Sequence, residues 1–186
     1  MKKVLSQIAL LSLILLLGSC SSGGSGEDVN LRVNLTDAPM MGMQAVNVTV
    51  AAVRIHQSAD AAPGAAGWQE IPVTAAMPVD LMRMRGGVLY ELCTANLGTG
   101  HYQQVRLVVM PNTGATPPYN NSVMTMDGTM HPVDMPGDIK IVHSFNVAVG
   151  TTTELTLDFN AGLSMHQRGN GSYFMQPVVS ATSMMK

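Results

Sequence analysis

Val29-Asn30-Leu31-Arg32-Val33-Asn34-Leu35 alternates apolar and polar residues without a fault. Val46-Asn47-Val48-Thr49-Val50 repeats the pattern and runs on through Val53 and Ile55. A period of two sends successive side chains to opposite faces of a pleated strand, one face for a core and one for water. A packed helix needs a period of about 3.6 instead, so the alternation commits this chain to β-structure. Further strands are expected at 68–73, 79–82, 88–95, 102–110, 122–126, 130–133, 139–149, 153–159 and 173–181. Turn residues separate them. Asp127-Gly128 predicts a two-residue hairpin connection. Gly150 and Gly169-Asn170-Gly171 supply residues that tolerate the left-handed backbone of turns. No helix of useful length is expected, because Pro63, Gly64 and Gly67 break the alanine-rich stretch 59–66. The segment 111–121, with Pro117-Pro118, reads as a loop. Many short strands with frequent turns predict an all-β fold, an antiparallel β-sandwich of the immunoglobulin-like or transthyretin-like kind. Gly100-His101-Tyr102 ahead of 105–109 adds the pattern of a tyrosine corner.

Composition excludes several classes. Apolar residues make up 46% of the 186 residues and charged residues 12%. A disordered chain has the opposite balance. Ten Lys and Arg with a net charge of −2 give no basic footprint for nucleic acid. Two cysteines cannot build a disulfide scaffold.

The first residues read as an address. Met1-Lys2-Lys3 precedes an apolar run over 4–17 that is too short for a membrane span, which needs about 20 residues. This is the form of an export signal. Its end, Leu17-Gly18-Ser19-Cys20, resembles the lipobox of bacterial lipoproteins. That resemblance implies cleavage between Ser19 and Cys20, diacylation of the Cys20 thiol and a palmitate-bearing membrane anchor. Ser21-Ser22-Gly23-Gly24-Ser25-Gly26 follows as a flexible tether. Residue 21 is not Asp, which by the same resemblance directs the protein, if the envelope is Gram-negative, to the cell outer membrane. The organisation expected is a signal peptide at 1–19, a tether at 20–28 and one β-sandwich domain at 29–183. Loss of Lys2 and Lys3 leaves 8 basic against 12 acidic residues, a net charge of −4.

Five short motifs recur in a familiar order: Leu35-Thr36-Asp37-Ala38-Pro39, Gly100-His101-Tyr102-Gln103-Gln104-Val105-Arg106-Leu107, Asp138-Ile139-Lys140-Ile141, Leu157-Asp158-Phe159, and Gly169-Asn170-Gly171-Ser172-Tyr173 leading to Gln176-Pro177-Val178. Over about residues 29–181 the chain resembles the domain of unknown function 4382 family. That resemblance implies a secreted or lipid-anchored prokaryotic protein with a β-sandwich-like fold, and it implies no activity. Two positions depart from the family pattern. Met84-Arg85-Gly86-Gly87 stands where a Leu-x-Asn-Gly turn is expected. Asp158-Phe159-Asn160 stands for Asp-Phe-Asp, which weakens any paired-carboxylate ion site.

Candidate sites each have a bland alternative. Asp37, Asp80 and Asp158 could hold Ca²⁺, which takes about six to eight oxygens. They could equally accept turn N–H groups or pair with Arg106 or Lys140. Sixteen methionines are unusual. Thioether and imidazole ligands suit Cu(I), so Met40, Met41, Met43, Met124, Met126, Met130, His131 and Asp158 form a candidate soft-metal set. On one strand Met124 and Met126 would share a face. Methionine also fills irregular cores, and that role is the main expectation. Cys93 lies in an alternating strand with no positioned base, so it is expected to be a buried small hydrophobe, not a nucleophile. Gly-x-Ser-x-Gly, His-Glu-x-x-His and P-loop patterns are absent from the sequence. Trp68 and Tyr119 lie in expected loops and are candidate contacts for a glycan or an envelope protein. The expectation is a lipid-anchored, non-enzymatic binding or structural module without cofactor and without nucleic acid. The alternative is a periplasmic copper binder.

Overall fold

The computed structural model describes residues 29–37 and 41–186. In chain order its strands are β1 (Leu31–Asp37), β2 (Met43–Val48), β3 (Val50–His56), β4 (Gln69–Pro72), β5 (Val79–Asp80), β6 (Tyr90–Ala95), β7 (Gly100–Val109), β8 (Ser122–Thr125), β9 (Met130–Asp134), β10 (Asp138–Val147), β11 (Thr153–Phe159), β12 (Met165–Gln167), β13 (Tyr173–Met175) and β14 (Val179–Met185). A single α-helical turn, α1 (Ala161–Ser164), sits between β11 and β12.

Three sheets form. Two have four strands, in the orders β14-β11-β1-β6 and β10-β7-β3-β4. They make the sandwich, and their inward residues form one core. Leu31, Val33, Leu35, Leu155 and Leu157 from the first sheet meet Val53, Ile55, Val105 and Leu107 from the second. The two sheets touch at their margins, where His143 Nε2 lies 3.1 Å from Ser183 Oγ. The third sheet has six strands, in the order β12-β13-β9-β8-β2-β5.

The third sheet grows out of the second through one residue. β2 and β3 are a single run of alternation interrupted at Thr49. The Thr49 N–H donates to Asn121 Oδ1 at 3.1 Å and its hydroxyl to Asn120 O at 2.7 Å. Met110 N–H donates to Thr49 O at 2.9 Å. Thr49 is fully buried, so these bonds satisfy groups that would otherwise be stranded where the strand changes sheets.

The all-β sandwich is as expected, with four corrections of detail. Pairing is mostly antiparallel, but β1 runs parallel to β11 and β13 runs parallel to β9. Alternation fixes which face is buried and says nothing about a neighbour's direction. The strand expected at 79–82 stops at Asp80. Its carboxylate accepts the Met82 N–H at 3.1 Å and turns the chain into a 3-10 turn over Leu81–Arg83. The span 173–181 divides into β13 and β14 around Pro177, which has no N–H to give a ladder. The β8–β9 connection is longer than a two-residue turn. Gly128 N–H donates to Thr125 O, Thr125 N–H donates to Thr129 O, and Gly128 adopts φ +84°.

The tyrosine corner is present. Tyr102 is buried, stacks on Phe145 with ring centroids 5.5 Å apart, and donates its hydroxyl proton to Gly98 O at 2.7 Å. It also accepts from Gln69 Nε2 at 3.0 Å, tying β7 to β4.

Candidate functional site

The inward face of the third sheet carries Val46, Val48, Val123 and Val133, all buried. Its other face therefore carries the alternate residues, Ala45 and Asn47 on β2 with Ser122 and Met124 on β8. Met124 lies directly opposite Met130 of β9. Beside this face the chain returns as Met77-Pro78 before β5 and as Val88-Leu89 before β6. Together they enclose a groove of about 680 Å³. Met84 and Tyr90 close one side, and Asp80 and Arg83 stand at the rim. Met77, Val88 and Leu89 are 62%, 52% and 50% exposed. Exposed large apolar side chains gathered in one place are the mark of a binding surface. A second cleft of about 490 Å³ shares Asn47 and Pro78 with the groove and continues past Met130 to Pro117, Pro118 and Tyr119.

Charge at the groove has one outward sign. The Asp80 carboxylate is 19% exposed and already accepts from the N–H groups of Val46 and Met82. Arg83, 3.5 Å from Asp80, is 87% exposed. Solvent at the rim thus meets a cation.

The soft-metal candidates are not brought together as one set. Met40 and Cys20 lie outside the described residues. Met41 is 93% exposed before β2, and Met43 is half-buried at its start. Met124 and Met126 do not share a strand face, because β8 ends at Thr125 and Met126 turns out to 65% exposure. Adjacent residues of a strand face opposite ways, so Met130 and His131 diverge, and the His131 ring lies 5.2 Å from that of Tyr173. Asp158 alternates with the buried Leu157 and Phe159 on a different sheet. Among the described residues no group of three or more His, Cys, Asp or Glu side chains is arranged to hold a metal ion.

The other carboxylates have structural partners. Asp37 Oδ1 accepts the Ala161 N–H at 2.9 Å, joining β1 to α1. Arg106 pairs with Asp138 at 2.9 Å, so its partner is none of the three aspartates singled out in the sequence.

Trp68 does not present a bare ring. Arg54 and Arg106 sit opposite each other on β3 and β7, a like-charge pairing that is unfavourable in isolation. The Trp68 ring lies over both guanidiniums, 4.9 and 5.4 Å from its centroid, with His56 at 5.0 Å. Its Nε1–H donates to Ala62 O at 2.8 Å. Glu70 and Asp138 balance the charges from either side. Trp68 therefore clasps the loop 57–68 onto the sheet. Tyr119, expected to be exposed, is 8% exposed, and its hydroxyl donates to Ala115 O at 2.9 Å.

Cys93 is buried in β6. Burial, with Glu91 adding a smaller repulsion, pushes its thiol up from 9.0 to about 12. A thiolate is what reacts, so a thiol reagent at pH 8 is expected to leave Cys93 unmodified in the folded protein and to label it in urea. A raised folded value also means that this group's contribution to stability is intact below pH 9 and is lost as pH rises toward 12. Alkaline unfolding that is no steeper in wild type than in Cys93→Ala would contradict this.

Residues 28–177 match the model of a family described as Domain of unknown function (DUF4382). The chain belongs to that family. Neither the curated proteins nor the solved structures gave a match. The matched span runs from just before β1 through β13, so the whole groove belongs to the DUF4382 domain. Of the residues that build it, Asp80 and Met124 were singled out in the sequence, as candidate ion and soft-metal ligands, while its apolar walls were not. There Val88-Leu89 opens the strand expected at 88–95, and Met77-Pro78 lies just before the strand expected at 79–82. Only the long-range pairing of β2 with β5 and β8 turns them into the walls of a groove.

Proposed function

We propose that this DUF4382 protein is a lipid-anchored, non-enzymatic binding module of the cell envelope. Acyl chains on Cys20 hold it to the membrane, and the methionine- and proline-lined groove on the third sheet receives a partner protein. The groove carries this reading, because it combines exposed apolar walls with a rim of defined charge. Its position supports the reading. The tether enters at Val29, beside Asn96, Leu97 and Val149. Leu35 of β1, six residues on and roughly 20 Å away at strand rise, pairs with the groove residue Tyr90. Thr36 Oγ1 donates to Met84 O at the same end. A domain tethered at Val29 thus holds the groove away from its own anchor. Methionine walls suit such a surface, since the unbranched thioether side chain adapts to different apolar partners.

Two measurements test the proposal. Palmitate labelling and membrane fractionation are expected to fail for Cys20→Ala, and an unlabelled wild type would remove the anchor. A photo-crosslinking residue placed at Leu89 is expected to trap one envelope protein in cells. That product should be absent when the crosslinker sits at Lys140, on the outer face of the second sheet, and when Met77→Glu accompanies the Leu89 crosslinker. Equal trapping from both positions would remove the groove as the binding face.

A further inference from the structure

We infer that the end of the sandwich where the tether enters rests on the lipid bilayer itself, with Val149, Met184 and Met185 among the headgroups. This rests on Cys20 carrying the anchor and states how the anchored domain stands. Chain geometry supplies the first argument. Val29 follows Cys20 by nine residues, which fully extended reach no more than about 32 Å. The entry point is clamped. Thr152 Oγ1 donates to Val29 O at 2.9 Å. The Asn30 side chain accepts from Leu97 N–H at 2.8 Å and donates to Leu97 O at 2.7 Å and to Asn96 Oδ1 at 2.9 Å. An anchor on Cys20 therefore keeps this end of the domain nearest the membrane.

Exposed apolar side chains supply the second argument. Thr151 Oγ1 donates to Ala148 O at 3.3 Å across a turn in which Gly150 takes φ +73°. The turn presents Val149 at its tip, 87% exposed. Thr152, which holds Val29, also exchanges both backbone bonds with Lys186, and this brings the end of β14 alongside. There Met184 and Met185 are 62% and 55% exposed. Three large apolar side chains thus stand in water around the point where the tether joins, a grouping that marks a protein or membrane contact. Charge supplies the third argument and selects the membrane. Segments 29–30, 95–99 and 146–153 form this end and contain no Asp, Glu, Lys or Arg. The nearest charges are closed in pairs, Arg32 with Glu91 at 2.8 Å and Lys186 with Glu154 at 2.7 Å. The opposite end is charged, since β1 finishes at Asp37, β11 finishes just past Asp158 and β10 opens on Asp138. Moving a charge out of water is costly, so the uncharged end can enter a headgroup layer and the charged end cannot. Three side chains would not hold a free domain to a bilayer, but the anchor makes the contact intramolecular. In this stance the groove, beyond the far end of β1, faces away from the lipid.

The test uses the acylated protein in vesicles of phosphatidylethanolamine and phosphatidylglycerol that contain a nitroxide-labelled lipid. Val149→Cys, Met185→Cys, Leu89→Cys and Val142→Cys each carry a fluorophore. Cys93 is buried and Cys20 carries lipid, so the added cysteine takes the label. Leu89 lies in the groove and Val142 on the flank of the second sheet, and both are about as exposed as Met185. The nitroxide is expected to quench the labels at 149 and 185 and to leave those at 89 and 142 bright, at low and high salt alike. Met184→Asp together with Met185→Asp is expected to abolish quenching at 149. Palmitate labelling, co-flotation with vesicles and the melting temperature should stay as in wild type, because both side chains are exposed. The inference is overturned if all four positions are quenched equally, or if none is while the protein co-floats. It is also overturned if the label at 149 self-quenches as protein density rises and lipid leaves it bright, since a second copy then covers this end. The anchor stands in each of those cases. A chain that takes no palmitate and does not co-float overturns the anchor and the contact together, so the two failures are distinguishable.

Discussion

Asn121→Leu is expected to lower the free energy of unfolding by roughly 2–6 kcal/mol, from two buried backbone groups at about 1–3 kcal/mol each. Asn121 is 1% exposed. Its Oδ1 takes the Thr49 N–H, and its Nδ2 donates to Met110 O at 2.7 Å. Leucine has nearly the same shape and can do neither, so both groups would be left dry and unpaired. The backbone of Asn121 is held as well, by Asn112 Oδ1 at 2.8 Å and by Val133 N–H at 3.0 Å. The side chain is therefore fixed in a site it cannot leave. Urea unfolding followed by circular dichroism measures the change. Asn120→Ala is the control, because its bond to Pro111 O is exposed and its loss should cost under about 1 kcal/mol. A Leu variant within about 0.5 kcal/mol of wild type would mean that water or local shifts satisfy the bend. The consequence reaches the candidate site. Thr49 is where the long strand passes from the sandwich to the third sheet, so a loosened bend lets the groove wall move against its scaffold. Trapping of the partner protein from Leu89 should weaken in the same variant.

The sandwich was legible because alternation is a local signal with a strong physical cause. β11 coincides with the expected 153–159, where Leu155, Leu157 and Phe159 are buried and Thr156 and Asp158 are not. Tyr102 was legible for a related reason, since its acceptor Gly98 is four residues away in sequence. Partnership was not legible. Nothing within 31–37 or 153–159 states that these segments run side by side in the same direction. The chemistry at Asp80 was hidden too. An aspartate in an alternating segment reads as a strand residue, and only its capping of Met82 shows that it ends the strand. The methionines show both limits at once. Met82 and Met84 are buried as core residues, in line with the bland expectation. Met124 and Met130 belong to the opposite face of their sheet, where they meet across the β8–β9 pair. Local sequence cannot separate these two uses, because both place an apolar residue at a strand-like position. The separation comes from what covers the face, and that is decided by residues some 40 positions away.

Phe159→Ala is expected to cost about 3–5 kcal/mol, the range for removing a fully packed aromatic side chain and leaving most of its volume empty. Phe159 is 1% exposed at the last position of β11. It is the register partner of Asp37 on β1 and of Val179 on β14, so three strands of the first sheet converge on it. Collapse around the cavity is restricted there. Asp37 is bound to Ala161 N–H immediately beyond Phe159, and Asn160 N–H donates to Val178 O at 2.9 Å. Both bonds hold the backbone in place while the side chain is lost, which puts the cost toward the upper part of the range. Leu163→Ala is the matched comparison. It removes an apolar side chain four residues on that is 63% exposed, and its effect should stay within about 0.5 kcal/mol. A domain of this size has a total stability of roughly 5–15 kcal/mol, so Phe159→Ala should bring it close to unfolding at 37 °C while the Leu163 variant melts with wild type. Equal destabilisation by the two changes, measured by thermal unfolding, would show that the end of β11 is not packed as described. It would also place the junction between β1, β11 and α1 outside the cooperative core.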